Sequence, residues 1–262
     1  MKKKVSWALG TVIIVIAAIV GGIYYHQRQD DRVQTIEKVN VVNKNIPTFF
    51  FHGWGSSYHA EEDMTTAIKQ AGVTNTIVRV NVDHHGHAEL VGKITKKAKN
   101  PLVEVNFADN KLSNVHNGSY ANAYYTTGAC YVRNAINVVT KKYHYQAINA
   151  VSHSMGNLEF INYIRRYQNQ KGFPIIRHWV SIAGHYDGII GENDAPNKTK
   201  INRKTGKPSR MGPEFRAVLS LRSTFSRQTR VLNIFGNLEN GTNSDGDVTN
   251  ASARSLKYLT ET

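Results

Sequence analysis

The chain has 262 residues, a single cysteine and a formal net charge of +14 at pH 7. One cysteine excludes an intramolecular disulfide, and with it the class of small disulfide-stapled secreted folds. The positive charge would suit a nucleic-acid partner, but no helix-turn-helix, zinc or RNP motif accompanies it. We therefore expect no nucleic-acid partner.

The N-terminus predicts a membrane anchor. Lys2–Lys4 precede an uncharged apolar stretch at residues 7–25. As a helix this stretch would span about 28 Å, close to the thickness of a bilayer core. The lysines favour a cytoplasmic N-terminus, so the rest is expected outside a bacterial cell membrane as a single-pass protein. Secretion after signal-peptide cleavage is the alternative, although no A-x-A-like cleavage site is evident.

Residues 1–25 are thus predicted as the anchor, 26–45 as a linker and 46–262 as one α/β domain. Strand patterns lie at Thr48–Phe51, Thr76–Val82, Leu102–Phe107, Gln146–Val151, Ile175–Ile182 and Arg230–Phe235. Helical patterns lie at His59–Ala71, Tyr120–Lys142, Met155–Asn169 and Ala251–Leu259. Their alternation predicts a mainly parallel sheet with helices on both faces. The second and third of these strands could instead form an antiparallel hairpin.

Two features in the first half of the chain admit a chemical interpretation that we do not favour. His84, His85 and His87 beside Asp83 resemble a zinc-ligand cluster, but exposed histidines in a turn are the commoner arrangement, so no metal is predicted. Cys130 lies in a helical pattern, where a small buried residue is a simpler interpretation than a nucleophile. No cofactor is predicted either.

Ser154 is the candidate nucleophile. A short apolar strand ends in Ser152-His153-Ser154-Met155-Gly156, and a helical pattern follows at once. This small-x-Ser-x-Gly layout is typical of a nucleophile elbow, in which strand and helix nearly touch. An earlier strand runs into His52-Gly53-Trp54-Gly55, a loop that supplies an oxyanion-hole amide in such folds. The backbone N–H groups of Trp54 and Met155 are therefore the candidate oxyanion hole.

The segment 193–230 is strongly basic. It contains ten basic residues and two acidic ones, a net charge of +8. We interpret it as an insertion or cap-like segment attracted to anionic lipid or an anionic wall polymer. A solvated surface with no specific ligand is equally compatible with the pattern.

The candidate acid follows the last predicted strand. Asp245 stands three residues before Val248, a spacing common among acids of this fold, and is preferred over Asp247. The loop could also be a polar turn or a calcium-like site, although its spacing lacks the glutamate that an EF-hand loop requires.

Four segments together resemble the cell-surface α/β-hydrolases of unknown function from Gram-positive bacteria: FFFHGWGSS, AINAVSHSMGN, SIAGHYDG and the stretch from VLNIFGN to SARSL. The resemblance covers about residues 46–259. It implies an α/β-hydrolase fold, a nucleophile at Ser154 and an acid at Asp245, but it does not supply a substrate. Our own expectation is a hydrolase that acts on a small ester, lipid or acyl substrate outside the membrane.

One departure from this pattern concerns the general base. The base is expected after the acid, yet no histidine follows His185, so the sequence looks truncated before its last strand. His153 is expected to point into the scaffold, and His52 to be structural. His185 is the possible substitute base. A catalytically inactive product, or a surface binding module for anionic polymer or lipid, is the alternative to an active esterase.

Overall fold

The computed structural model describes residues 45–113 and 124–261, all of which belong to one compact unit, Val42–Thr262. The predicted anchor, and the predicted linker up to residue 44, lie outside the described residues. Among the residues that are described, no helix has the length and apolar character needed to cross a membrane.

A seven-stranded sheet forms the centre of the domain. Its strands are β1 Thr48–Phe51, β2 Ile77–Val82, β3 Ala88–Val91, β4 Leu102–Phe107, β5 Ala147–His153, β6 Ile175–Ile182 and β7 Arg230–Ile234. Their spatial order is β3-β2-β4-β1-β5-β6-β7, and all neighbours pair in parallel except β2 and β3. The prediction of a mainly parallel α/β sheet is therefore confirmed.

Helices flank this sheet. They are α1 His59–Gln70, α2 Ala129–Tyr143, α3 Met155–Tyr167, α4 Pro213–Val218, α5 Leu221–Thr224, α6 Asn250–Arg254 and α7 Leu256–Thr260. A π-helical turn, Tyr124–Gly128, leads directly into α2. The predicted helix at Tyr120–Lys142 thus begins with a different helical form, and its first residues lie outside the described part of the chain.

The apolar run at β1 explains why this strand lies in the middle of the sheet. Phe49 and Phe51 pack into the main core on one face, while Phe50 packs on the other face beneath α1. All three side chains are fully buried. Because the side chains of β1 are buried on both faces, helices must cover both faces of the sheet at this strand, which is the arrangement that parallel sheets require.

The alternative of a hairpin between the second and third predicted strands is wrong. Those strands, β2 and β4, pair in parallel, because the chain first inserts β3 as the antiparallel partner of β2. The turn between β2 and β3 is held by Asp83, whose Oδ1 accepts hydrogen bonds from the backbone N–H groups of His85 and His87, both at 2.8 Å.

The edge strand β7 exposes apolar side chains. Leu232 and Ile234 of β7 are 57% and 45% exposed, and Val231 packs against the main core on the opposite face.

In α2, Cys130 is half-buried rather than buried, because its Sγ faces the polar side chains of Arg133 and Asn134 at 3.6 and 3.7 Å.

Candidate active site

Ser154 lies on a sharp turn between β5 and α3, with φ 49° and ψ −118°. A positive φ is costly for a non-glycine residue, so the surrounding structure must hold it. The backbone N–H of Ser154 donates to the carbonyl oxygen of Ile182 at 3.0 Å, which ties the turn to the end of β6. This is the strained strand-to-helix turn that the sequence pattern predicted.

The small residues around Ser154 are required by space. A Cβ at Gly156 would stand 2.7 Å from the carbonyl oxygens of both Phe51 and His52. A Cβ at Gly53 would stand 3.1 Å from Ser154 Cβ and from His153 Nδ1. The elbow and the loop after β1 therefore touch, and the serine side chain lies beside that loop.

The two candidate oxyanion amides remain available. Trp54 lines the cleft that Ser154 lines, and its side chain is 51% exposed. Within the described part of the chain, neither the Trp54 N–H nor the Met155 N–H donates a hydrogen bond. Unpaired backbone N–H groups beside a nucleophile are what an oxyanion hole requires. The loop that carries Trp54 is fixed by a 2.9 Å bond from Gly55 N–H to the Asn110 carbonyl oxygen.

His52 is structural, as expected. It is fully buried, and its Nε2 accepts a hydrogen bond from the Phe107 N–H at 3.1 Å. Its Nδ1 therefore carries the proton and donates to the Gly53 carbonyl oxygen at 2.9 Å. Burial lowers the pKa of His52, which favours this neutral form. The residue holds the oxyanion loop against β4 and is not available as a base.

A buried polar network supports the elbow from below. Ser152 Oγ donates to Asn157 Oδ1 at 2.6 Å and accepts from Trp179 Nε1 at 2.7 Å. Asn157 Nδ2 donates to the carbonyl oxygen of Ile182 at 2.8 Å, and the Tyr186 hydroxyl donates to Asn157 Oδ1 at 3.2 Å. The serine at position 152 thus ties β5 to α3 and β6.

Asp245 sits on the loop after β7. Its Oδ1 accepts from the backbone N–H of Val248 at 2.7 Å and of Asp247 at 3.0 Å, which explains the three-residue spacing. Its Cβ packs against Gly236, where an added Cβ would stand 2.9 Å away. Burial lowers the pKa of both His153 and His185, and the charge of Asp245 partly opposes that lowering. The acid is therefore near enough to act on both imidazoles.

His185 and His153 line the same cleft as Ser154. His185 is 6% exposed, and burial lowers its pKa to about 4, so it is neutral at pH 7. The expectation that His153 points into the scaffold is wrong. It is the last residue of β5, where its side chain is exposed and lines the cleft; partial burial still lowers its pKa.

The cleft at Ser154 has a volume of about 380 Å³, which is in the range of small-molecule sites. A larger groove of about 740 Å³ lies elsewhere, along α2 and the end of α3, and is lined by Arg133, Lys141 and Lys171. It contains no serine, and we place the chemistry in the smaller cleft, where the strained serine, the free amides and the two histidines meet.

No group of three or more histidine, cysteine, aspartate or glutamate side chains within the described ranges is arranged to hold a metal ion. At the histidine-rich turn, the carboxylate of Asp83 instead pairs with His87 at 3.1 Å.

Comparison with known proteins agrees with this architecture. A model of the DUF915 family, described as an alpha/beta hydrolase of unknown function, matches residues 35–262. The chain belongs to this family. A search of curated proteins finds no match.

Two solved structures share the fold. A gene product of Listeria innocua superposes with a TM-score of 0.69 at 21% identity, covering 82% of this chain and 79% of that one. A protein of Lactobacillus plantarum, provisionally named a cell surface hydrolase, gives a TM-score of 0.61 at 20% identity, covering 82% and 76%. Together with the family match, these likenesses confirm the α/β-hydrolase fold.

Two residues of the cleft, Glu192 and Glu214, were not found by sequence reasoning, and Asp247 was considered only as the less favoured acid. Glu192 and Asp247 lie on separate loops and Glu214 lies in the first turn of α4, and all three line the cleft together with Ser154. Glu214 belongs to the basic segment 193–230, whose basic residues are absent from the cleft lining. No local pattern in the sequence brings these carboxylates together.

Proposed function

We propose that this member of the DUF915 family is a serine hydrolase of esterase or acyl-hydrolase type. Ser154 is the nucleophile, and the N–H groups of Trp54 and Met155 stabilise the oxyanion of the tetrahedral intermediate. The observation that supports this most directly is the strained Ser154 turn, which opens on a cleft beside two amides that donate to no group among the described residues.

In the proposed reaction, Ser154 Oγ attacks the carbonyl carbon of an ester while its proton passes to a neighbouring imidazole. The alcohol leaves with that proton, and water then hydrolyses the acyl-enzyme by the reverse sequence. Asp245 stabilises the imidazolium that forms. Both His153 and His185 are candidates for the acceptor, since both line the cleft and both experience the Asp245 charge.

Labelling with a neutral fluorophosphonate, followed by hydrolysis of short p-nitrophenyl esters, tests the proposal. The reagent should modify the chain, and Ser154→Ala should abolish both labelling and turnover. Ser223→Ala, at an exposed serine on α5, is the matched control and should change neither. Asp245→Asn should reduce turnover more than Asp247→Asn. A folded chain that is not labelled would instead favour the alternative of a surface binding module.

We also propose that the domain acts outside the cell membrane, tethered by residues 7–25 and preceded by the linker up to residue 45. Support comes from the Lys2–Lys4 charge before an uncharged apolar stretch and from the name of the Lactobacillus plantarum relative. The full chain should then sediment with membranes and be cleaved by protease added outside intact cells. A soluble species that starts near residue 26 would show cleavage of the segment.

A further inference from the structure

The walls of the Ser154 cleft carry an excess of negative charge. Glu192, Glu214 and Asp247 line it, and no lysine or arginine does. Its two histidines contribute no compensating charge at neutral pH, because burial lowers the pKa of both. This concentration of carboxylates is unexpected on a chain whose net charge is +14.

These carboxylates lack ionic partners. No lysine or arginine of the described part of the chain forms a salt bridge with Glu192, Glu214 or Asp247. One oxygen of Glu214, Oε2, is buried without a hydrogen-bond partner. Burying a carboxylate oxygen without a hydrogen-bond partner is unfavourable. This oxygen can therefore accept a hydrogen bond from a donor group of a ligand.

Nearby groups respond to the same negative potential. The pKa of Asp187, adjacent to Gly188 in the cleft wall, is raised to about 6, chiefly by burial and further by the charges of Asp194 and Glu214. Lys111 Nζ lies 4.9 Å over the Trp54 ring, and Lys198 Nζ donates to the Asn193 carbonyl oxygen at 3.2 Å. The charge of Arg216 partly opposes the raised pKa of Asp187. None of these three cations enters the cleft lining.

The larger groove provides an internal comparison. It is lined by Arg133, Lys141 and Lys171 and by no carboxylate. These two concave surfaces of one domain therefore carry opposite charge. Fields are focused in clefts with low-dielectric walls, so the carboxylates of the smaller cleft act most strongly on whatever enters it.

We propose that the substrate carries a positive charge, an ammonium or quaternary ammonium group, close to the scissile ester. Glu192, Glu214 and Asp247 select for this group, and they disfavour anionic esters such as those of phosphorylated lipids. This inference rests on the proposed function, since it names the substrate class of the same site. It separates the role of the cleft from that of the basic segment 193–230.

Three esters of one shape test the charge preference. Butyrylcholine, its neutral isostere 3,3-dimethylbutyl butyrate and an anionic carboxylate analogue should be compared by kcat/KM. The kcat/KM of the cationic ester should exceed that of the neutral ester by about tenfold, and that of the anionic ester by more. The attraction between unit charges a few ångströms apart in such a cleft is large enough to produce a factor of this size. The preference should shrink with added salt. Equal kcat/KM values for the first two esters would overturn the inference.

Charge-neutralising variants assign the effect to the cleft. Glu214→Gln and Asp247→Asn should each reduce the preference for butyrylcholine several-fold while changing the neutral ester much less. Glu89→Gln, at an exposed position on β3, is the matched control and should leave the ratio unchanged. If the ratio survives removal of all three cleft carboxylates, they do not determine it.

A binding measurement keeps this inference separate from the proposed function. Ser154→Ala, which cannot turn over substrate, should bind butyrylcholine about tenfold more tightly than the neutral isostere in calorimetry. Binding preference without any Ser154 labelling in the parent chain would support the charge inference and contradict the hydrolase proposal. Labelling without binding preference would do the reverse.

Discussion

The carbonyl oxygen of Phe51 lies 2.7 Å from the point that a Cβ on Gly156 would occupy. Phe51 ends β1 and Gly156 is the second residue of α3, so this contact sets how closely the helix approaches the central strand. Backbone atoms cannot move aside as a flexible side chain can. The position of Ser154 over the loop after β1 therefore depends on the absence of a side chain at Gly156.

Gly156→Ala should displace α3 and destabilise the domain by about 1–3 kcal/mol, the usual cost of overpacking a core. Urea unfolding measures this loss, and fluorophosphonate labelling of Ser154 should fall with it. Gly212→Ala is the matched control, because a Cβ there would meet its nearest neighbours at an ordinary 3.4 Å. A Gly156→Ala chain as stable as the parent would show that the elbow can relax.

Glu61 on α1 predicts a pH-dependent stability. It is 3% exposed, and burial, together with the charge of Glu104, raises its pKa to about 7. Because the folded value lies above the unfolded one, the contribution of Glu61 to stability is present in acid. It is lost as the pH rises through about 7.

Glu61→Gln removes this titration. Relative to the parent chain, the variant should gain about 2 kcal/mol of stability between pH 5.5 and pH 8.5, because most of the effect of a pKa raised from 4.5 to about 7 develops in that range. Unfolding by urea at the two pH values gives the difference. Asp63→Asn, an exposed carboxyl on the same helix, should show no such trend. A stability difference for Glu61→Gln that is constant with pH would contradict the assignment.

Several strands could be predicted from sequence because apolar residues dominate them. The bounds of β1, β4 and β6 match the predicted ones, although polar residues such as Glu104 in β4 and His178 in β6 interrupt two of these runs. The four-residue β3 was missed because its burial alternates weakly and it is too short for a period to emerge. The predicted last helix is divided at Ser255 into α6 and α7.

The candidate site could be predicted only where its residues are adjacent in sequence. Ser154 and its small neighbours form a local pattern, and the spacing of Asp245 from Val248 reflects a local hydrogen bond. The orientation of His153 could not be predicted, because the sequence alone does not show which side chains at the end of β5 face the cleft. The cleft carboxylates come from two loops and from α4, so only the fold brings them together.

The basic segment 193–230 predicts an electrostatic attachment to anionic surfaces. Nine of its ten lysines and arginines are exposed; Arg222 is half-buried. The described domain should bind vesicles of phosphatidylglycerol and release them as salt rises, because screening shortens the reach of surface charges. Neutral phosphatidylcholine vesicles should not bind.

Neutralising one part of this segment tests the location. Replacement of Lys200, Arg203, Lys204 and Lys207 by glutamine should weaken vesicle binding several-fold. The matched control neutralises four exposed lysines elsewhere, Lys69, Lys93, Lys96 and Lys97, and should have a smaller effect. Equal losses in the two variants would mean that net charge, and not this segment, governs attachment.

The two cleft histidines differ in how well each is suited to accept the proton of Ser154. His153 Nδ1 and Ser154 Cβ flank the same point beside Gly53, which places this imidazole next to the nucleophile. His185 is buried, with a pKa of about 4. A base with so low a pKa provides little driving force for proton transfer at neutral pH. We therefore expect His153 to accept the proton.

His153→Gln should then reduce Ser154-dependent ester hydrolysis by about 10²-fold or more, the usual contribution of a positioned base. His185→Gln should reduce it less, and both variants should be checked for folding by circular dichroism. In the parent chain, kcat/KM should fall in acid as the base becomes protonated. An inflection near pH 4 that disappears in His185→Gln would assign the base to His185 instead. A rate unaffected by either change would show that neither imidazole accepts the proton.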